Sequence, residues 1–199
     1  MTGQSVNRFG PLAALVKDVQ ETEHKFLLHG GDEKRTSWMP YQPADFISII
    51  WECLPQMAGK KFLDVGCGPG TKLQVASSLF GLDVRGIEID PQMVLEARKR
   101  LGDRVIHADA LNLPAGWNFS HFDLIWLYRP FRDPILETKL ESRIVREMAD
   151  GAILAGSGWE TDPADLGWAP VVDDCLHSPY DPDVKIIRGA WQKPGFRRE

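Results

Sequence analysis

Between residues 60 and 157 short apolar runs alternate with helically spaced apolar stripes. Phe62, Leu63 and Val65 form the first run; Val84 to Glu88, Val105 to Ala108, Phe122 to Tyr128 and Ala152 to Ala155 repeat it, and each reads as a buried strand. The stretches between them read as helices. Asp90-Pro91 and Asp133-Pro134 each place a side-chain acceptor before a proline at the first helical position. The second of these helices is expected to bury Ile135, Leu140, Ile144, Val145 and Met148, with Gly151 closing it. Ahead of this core, Pro11 to Leu28 predicts an amphipathic helix burying Leu12, Leu15, Val16, Val19, Phe26 and Leu27, stopped by Gly30-Gly31. Asp32 to Pro43 reads as a loop, and Ala44 to Leu54 as a helix through Phe46, Ile49, Ile50 and Cys53. After residue 157 the alternation stops. Trp168 to Leu176 and Val184 to Gln192 look like extended segments around the turn 178–182. Alternating strand and helix predicts an α/β, doubly wound, mostly parallel sheet covered on both faces.

The first strand runs into Gly66-Cys67-Gly68-Pro69-Gly70, with glycine at every second position. Such a turn lets a ligand approach the backbone, and the helix beginning at Thr71 adds its unpaired N–H groups. A dinucleotide fingerprint, Gly-x-Gly-x-x-Gly, would need glycine at 71 or 73, where Thr71 and Leu73 stand. Asp64 just before the loop is a poor neighbour for phosphates and suits an ammonium or sulfonium group instead.

Acidic residues recur at strand ends: 22 positions separate Gly66 from Glu88, and 21 separate Glu88 from Asp109, about one strand-plus-helix unit each. In a right-handed parallel sheet these ends line one edge, where ligands bind. Glu88 is placed to accept the hydroxyls of a ribose, and Asp109 the exocyclic amine of adenine. A strand-end carboxylate such as Glu88 is expected to lie outside the core.

Taken together, Leu63-Asp64-Val65-Gly66-Cys67-Gly68-Pro69-Gly70, Glu88-Ile89-Asp90 and Asp109-Ala110 resemble the class I S-adenosylmethionine-dependent methyltransferases, over residues ~60 to ~157. The resemblance implies a Rossmann-like methyltransferase fold, with seven strands and a terminal antiparallel hairpin. It implies that S-adenosylmethionine is the cofactor, with Asp64, Gly66, Cys67, Gly68 and Gly70 facing its methionine part. Glu88 and Ile89 would lie by the ribose, and Asp109 and Ala110 would frame the adenine. One domain spanning 1–199 is expected, as an N-terminal helical cap (1–58), a cofactor-binding core (59–157) and a C-terminal hairpin region (158–199).

The acceptor side departs from the best-known pattern. The turn Tyr128-Arg129-Pro130-Phe131 stands where amino-group methyltransferases of this class carry Asp/Asn-Pro-Pro-Tyr/Phe, but Tyr128 replaces the Asp or Asn and Arg129 the first proline. It resembles a Tyr-x-Pro-Phe variant of small bacterial members and argues against base-amino methylation. Tyr128 and Arg129 are the candidate catalytic residues; Tyr128 either orients a substrate or packs, and Arg129 either pairs with an acidic group or reaches solvent. Phe131, Trp38, Trp159 and Trp168 are candidate walls or ordinary core, and Tyr41 is placed to close over the cofactor.

Composition narrows the choice. Apolar residues at 43% and charged residues at 26% are those of a soluble protein, and no apolar run approaches a membrane span, so a cytoplasmic location is expected. The net charge of −5 opposes a broad nucleic-acid surface. Three cysteines (Cys53, Cys67, Cys175) and five histidines show no metal spacing, and Cys67 reads as a small space-filler. The expected activity is methyl transfer to a small molecule or a protein side chain. A non-catalytic S-adenosylmethionine-binding module and a nucleotide-dependent oxidoreductase are the alternatives.

Overall fold

A computed structural model describes residues 10–26, 41–173, 176–177, 185–186 and 188–195. Trp38, Cys175, His29, the turn 178–182 and the basic tail 196–198 lie outside the described residues.

The helices are α1 (Gly10–Phe26), α2 (Pro43–Cys53), α3 (Thr71–Phe80), α4 (Pro91–Leu101) and α5 (Pro134–Glu147). Strands β1 (Lys61–Val65), β2 (Asp83–Glu88), β3 (Val105–His107), β4 (Leu124–Tyr128) and β5 (Ile153–Ser157) pair in parallel. β6 (Ala169–Asp173) and β9 (Arg188–Gln192) complete a seven-stranded sheet in the order β3-β2-β1-β4-β5-β9-β6. β9 is antiparallel to both of its neighbours. A short pair, β7 (Leu176–His177) with β8 (Lys185–Ile186), lies between them in sequence, so the expected terminal hairpin is present. The strand order reverses between β1 and β4, which puts the crevice for a ligand at the carboxyl ends of those strands.

Period two divides the core. Phe62, Val84, Trp126, Ala155 and Ala190 face α2 and α3 with Phe46, Ile50 and Leu73. Leu63, Ile87, Ile125, Leu127 and Trp191 face α5 with Leu140 and Ile144. Asp64 shares a row with Gly86 and Trp126, so its carboxylate is on the α3 side. Gly86 is there because a methyl group at that position would meet Cys67 Sγ at 2.6 Å and Leu73 Cδ1 at 2.7 Å.

Both proline-led helices start as the sequence indicates: Asp90 accepts from the N–H groups of Gln92 and Met93, and Asp133 from that of Ile135. Two apolar faces differ from expectation. Leu12 and Val16 are exposed, because α1 docks through Val19, Thr22, Glu23 and Phe26. Ile135 is 76% exposed, because the inward face of α5 runs through Glu137, Leu140, Glu141 and Ile144. Polar contacts add to this docking: Arg100 of α4 reaches Asp18 Oδ1 at 3.1 Å and Thr22 Oγ1 at 2.7 Å, and is itself braced by Glu96 Oε1 of the same helix at 3.0 Å.

Gly86→Ala should overpack the junction of β2, Cys67 and Leu73 and lower stability by about 1–3 kcal/mol. Urea denaturation reads this directly; an unchanged midpoint would show that the two side chains can separate freely.

Candidate cofactor and acceptor site

The glycine loop is tied to β2 before any ligand is considered. The N–H groups of Gly66 and Cys67 both donate to the Ile87 carbonyl, at 2.9 and 3.0 Å. Gly66, Gly68 and Gly70 have φ of 75°, 55° and 81°, a region that side chains rarely adopt. A methyl group on Gly70 would meet Leu101 Cδ1 at 2.9 Å and Ala97 Cβ at 3.0 Å, so α4 presses on the loop from behind. One on Gly66 would approach Pro130 Cβ at 3.5 Å, so the turn after β4 stands over the loop. Cys67 points into the core beside Gly86, and burial holds its thiol well above the usual range, with Glu88 and Asp64 adding to the shift. Its backbone, not its sulfur, is what the loop offers a ligand.

Glu88 closes the loop from the other side. Its Oε2 accepts the Gly68 N–H at 2.7 Å, and its Oε1 accepts those of Ile89 and Asp90 at 2.7 and 2.8 Å. Contrary to the expectation for a strand-end acid, it is 7% exposed. Burial raises its pKa, and the three N–H groups oppose that. Ile89 is half-buried beside it, and its carbonyl meets His107 Nε2 at 2.9 Å. Asp109 caps its own turn, accepting from the Leu111 N–H at 2.9 Å and Asn112 Nδ2 at 3.1 Å. Ala110 is buried, with its carbonyl 3.4 Å from Arg143 Nη1.

Asp64 is the unusual member. It is fully buried and neither carboxylate oxygen has a hydrogen-bond partner, while Lys72 Nζ of α3 lies 3.6 Å from Oδ2. Burial pushes its pKa up to about 6; Lys72 pulls it down and Glu88 pushes it further up. Glu23 of α1 accepts a 2.9 Å hydrogen bond from Thr71 Oγ1, at the first residue of α3. Lys72 and Glu23 escaped the sequence reading, since a lysine and a glutamate on amphipathic helices look like solvent-facing residues.

On the acceptor side, Tyr128 is half-buried with its ring edge-on to Tyr41, centroids 5.1 Å apart. Tyr41 is buried and in turn meets Trp126 at 4.9 Å. Tyr128, Ser157 and Arg188 form one row across β4, β5 and β9; Arg188 lies 5.7 Å over the Tyr41 ring and pairs with Asp45 Oδ2 at 2.9 Å. Arg129 is exposed, with φ 39°, and its Nη2 lies 3.5 Å from Glu160 Oε1. Gly158 makes room for it, since a methyl group there would touch Arg129 Cβ and Cδ at 3.3 Å. Phe131, Trp159 and Trp168 are buried, and Trp159 donates its Nε1–H to the Leu127 carbonyl at 3.1 Å, so these rings are core. No group of three or more His, Cys, Asp or Glu able to hold a metal occurs among the described residues.

This geometry fits a zwitterionic, adenosine-bearing ligand better than a pyrophosphate. A buried carboxylate at the foot of the loop, with no hydrogen bond and one lysine 3.6 Å away, has room to accept a further cationic donor.

Comparison with known proteins agrees. Residues 62–150 match a family model described as "Methyltransferase domain". The chain is 27% identical over 183 residues to the 2-methyl-6-phytyl-1,4-hydroquinone methyltransferase of Synechocystis sp., covering 87% of this chain and 54% of that protein. It is 34% identical over 80 residues to the dTDP-3-amino-3,4,6-trideoxy-alpha-D-glucopyranose N,N-dimethyltransferase of Streptomyces venezuelae, covering 40% and 32%. The chain thus spans about half, or less, of the length of these relatives. An RNA methyltransferase of Salinibacter ruber, solved with S-adenosyl-L-homocysteine, shares the fold: TM-score 0.53, 21% identity, 78% of this chain and 94% of that one. Residues 62–150 are thus similar to a methyltransferase domain, on a fold shared with a methyltransferase solved with S-adenosyl-L-homocysteine, and S-adenosylmethionine is the cofactor that such domains use.

Glu88→Ala would leave three backbone N–H groups without their acceptor, so it should cost about 2 kcal/mol of stability. Thermal or urea unfolding measures it, with Glu88→Gln expected to fall between. A loss below half that size would mean that water replaces the carboxylate freely.

Proposed function

We propose that this chain transfers the methyl group of S-adenosylmethionine to a small-molecule acceptor at the carboxyl ends of β4 and β5. The observation that carries the reading is Asp64, a fully buried carboxylate without a hydrogen-bond partner beneath a loop of three left-handed glycines. When bound, S-adenosylmethionine supplies a methyl group on a sulfonium, an electrophile with a good leaving group.

The chain's own residues bind and orient. Asp64 receives the α-ammonium, with Lys72 helping to keep it ionised. Gly66, Cys67, Gly68 and Gly70 give the methionine part their backbone. Glu88 keeps lone pairs for the ribose beyond the three N–H bonds it already accepts, and Ile89 packs beside it. Asp109 and Ala110 frame the adenine. Tyr128, Tyr41 and Arg188 wall the acceptor, and Arg129 with Glu160 forms its rim. Holding the nucleophile in line with the methyl group supplies most of the rate enhancement. In this reading residues 1–58 cap the site, 59–157 hold the cofactor and 158–199 close the sheet.

A small-molecule acceptor is favoured because two of the curated relatives are named for a hydroquinone and a nucleotide-linked amino sugar. The Tyr128-Arg129 pair also lacks the carboxamide or carboxylate that base-amino methylation uses. Among the described residues no helix is long and apolar enough to cross a membrane.

Titration calorimetry should show saturable S-adenosylhomocysteine binding and none for NAD. Affinity should fall as pH drops through about 6, because ligand ammonium needs ionised Asp64 and burial has raised its pKa to that region. Asp64→Asn should weaken binding roughly 10- to 100-fold and abolish that pH dependence. NAD binding in place of S-adenosylhomocysteine, or affinity flat from pH 7.5 to 5, would overturn the assignment.

A further inference from the structure

Helix α5 carries two carboxylates one turn apart that the cofactor reading does not use. Glu137 is 0% exposed and Glu141 is 2% exposed. Glu137 Oε2 accepts the Phe131 N–H at 2.9 Å, and its Oε1 has no hydrogen-bond partner. Glu141 uses both oxygens, taking the N–H of Glu160 at 2.8 Å and that of Thr161 at 3.0 Å. Phe131 lies in the turn after β4; Glu160 and Thr161 lie in the turn after β5. Those two turns meet at the surface through Arg129 and Glu160, 3.5 Å apart.

Packing alone does not ask for acids here. The rest of this helix face is Leu140 and Ile144, and a buried acid costs free energy that an aliphatic side chain would not. What the carboxylates provide is hydrogen-bond acceptors for backbone that has left the sheet. Arg129 shows that this backbone is held away from its relaxed conformation, with φ 39° in a residue that is not glycine. One rigid helix therefore reaches both turns from beneath.

We propose that Glu137 and Glu141 are positioning residues for the acceptor side: from one helix they fix the turn bearing Tyr128 and Arg129 against the turn bearing Glu160. That these turns border an acceptor rests on the function proposed above, whereas the pinning does not. The two acids are not equivalent. Burial, then the nearby charge of Glu141, pushes the Glu137 carboxyl up to about 8; the Phe131 N–H and Arg129 oppose this, and Glu160 adds to it. At neutral pH Glu137 is therefore mainly a neutral acid with one used acceptor, for which glutamine is a faithful substitute. Glutamine at 141 would turn an NH2 group on an N–H it must accept.

The test is amide NMR on the full chain between pH 5 and 9.5, with Glu137→Gln, Glu137→Leu and Glu141→Gln, alongside S-adenosylhomocysteine calorimetry. In the wild type the Phe131 amide should titrate with a midpoint above pH 7. In Glu137→Gln it should stay near its low-pH position without titrating, while Glu137→Leu shifts or broadens Arg129 and Phe131 at every pH. Glu141→Gln should move Glu160 and Thr161 and leave Phe131 in place. The urea midpoint gives a second readout. The unfolded state ionises Glu137 near 4.5 and the folded state near 8, so wild-type stability drops relative to Glu137→Gln as pH rises across that window. Cofactor-analogue affinity should stay within about threefold in Glu137→Gln. Unchanged Arg129 and Phe131 amides in Glu137→Leu, or unchanged Glu160 and Thr161 amides in Glu141→Gln, would overturn the proposal. Failure of the wild type to bind S-adenosylhomocysteine would sink the function instead and leave the pinning to be judged on the amides.

Discussion

The ligand edge depends on how the turn from Gly66 to Gly70 is tied back to β2. One carbonyl, Ile87, takes the N–H groups of Gly66 and Cys67, and one carboxylate, Glu88, takes that of Gly68. These bonds hold three glycines at positive φ and leave the loop open towards the ends of β1 and β4. They also explain two neighbours that look unrelated in sequence. Gly86 must be glycine so that Cys67 can turn inward, and Gly70 must be glycine so that α4 can approach. The loop's hydrogen bonds and its packing both demand the same backbone.

Around that loop the protein buries acids at one end of the sheet: Asp64, Glu88, Glu137 and Glu141, with Glu23 from α1. Burial raises the pKa of each. Glu88, Glu137 and Glu141 offset part of the cost by accepting backbone N–H groups, and Glu23 by accepting the Thr71 hydroxyl. Asp64 differs: neither of its oxygens accepts a hydrogen bond, and what offsets its burial is the charge of Lys72, 3.6 Å away. That difference sets Asp64 apart from the acids that hold the scaffold, and it is why the proposed function gives Asp64 the ligand's ammonium.

Much of this was legible in the sequence. Strand ends, the alternate-glycine loop, both Asp-Pro helix starts and the terminal hairpin are local patterns with local causes, and the structure has them where the chain indicates. What was hidden depends on tertiary context. Glu137, Glu141, Lys72 and Glu23 sit on helices among polar neighbours, and no periodicity separates an acid that pins a turn from one in solvent. Ile135 shows the converse, an apolar residue at core-like spacing left in water because two glutamates took the inward face. Trp159 and Trp168 could have walled a site or filled a core; the Trp159 hydrogen bond to the Leu127 carbonyl places that ring in the core. The row of Tyr128, Ser157 and Arg188 joins residues 60 positions apart, which only strand pairing reveals.

The most direct test of this account is a crystal structure of the chain grown with S-adenosylhomocysteine. The account predicts the ligand across the ends of β1, β2 and β3, with its ammonium on Asp64, its ribose on Glu88, its adenine beside Asp109 and its sulfur towards Tyr128. A ligand bound elsewhere, or Asp64 still facing only Lys72 with the ligand in place, would contradict it.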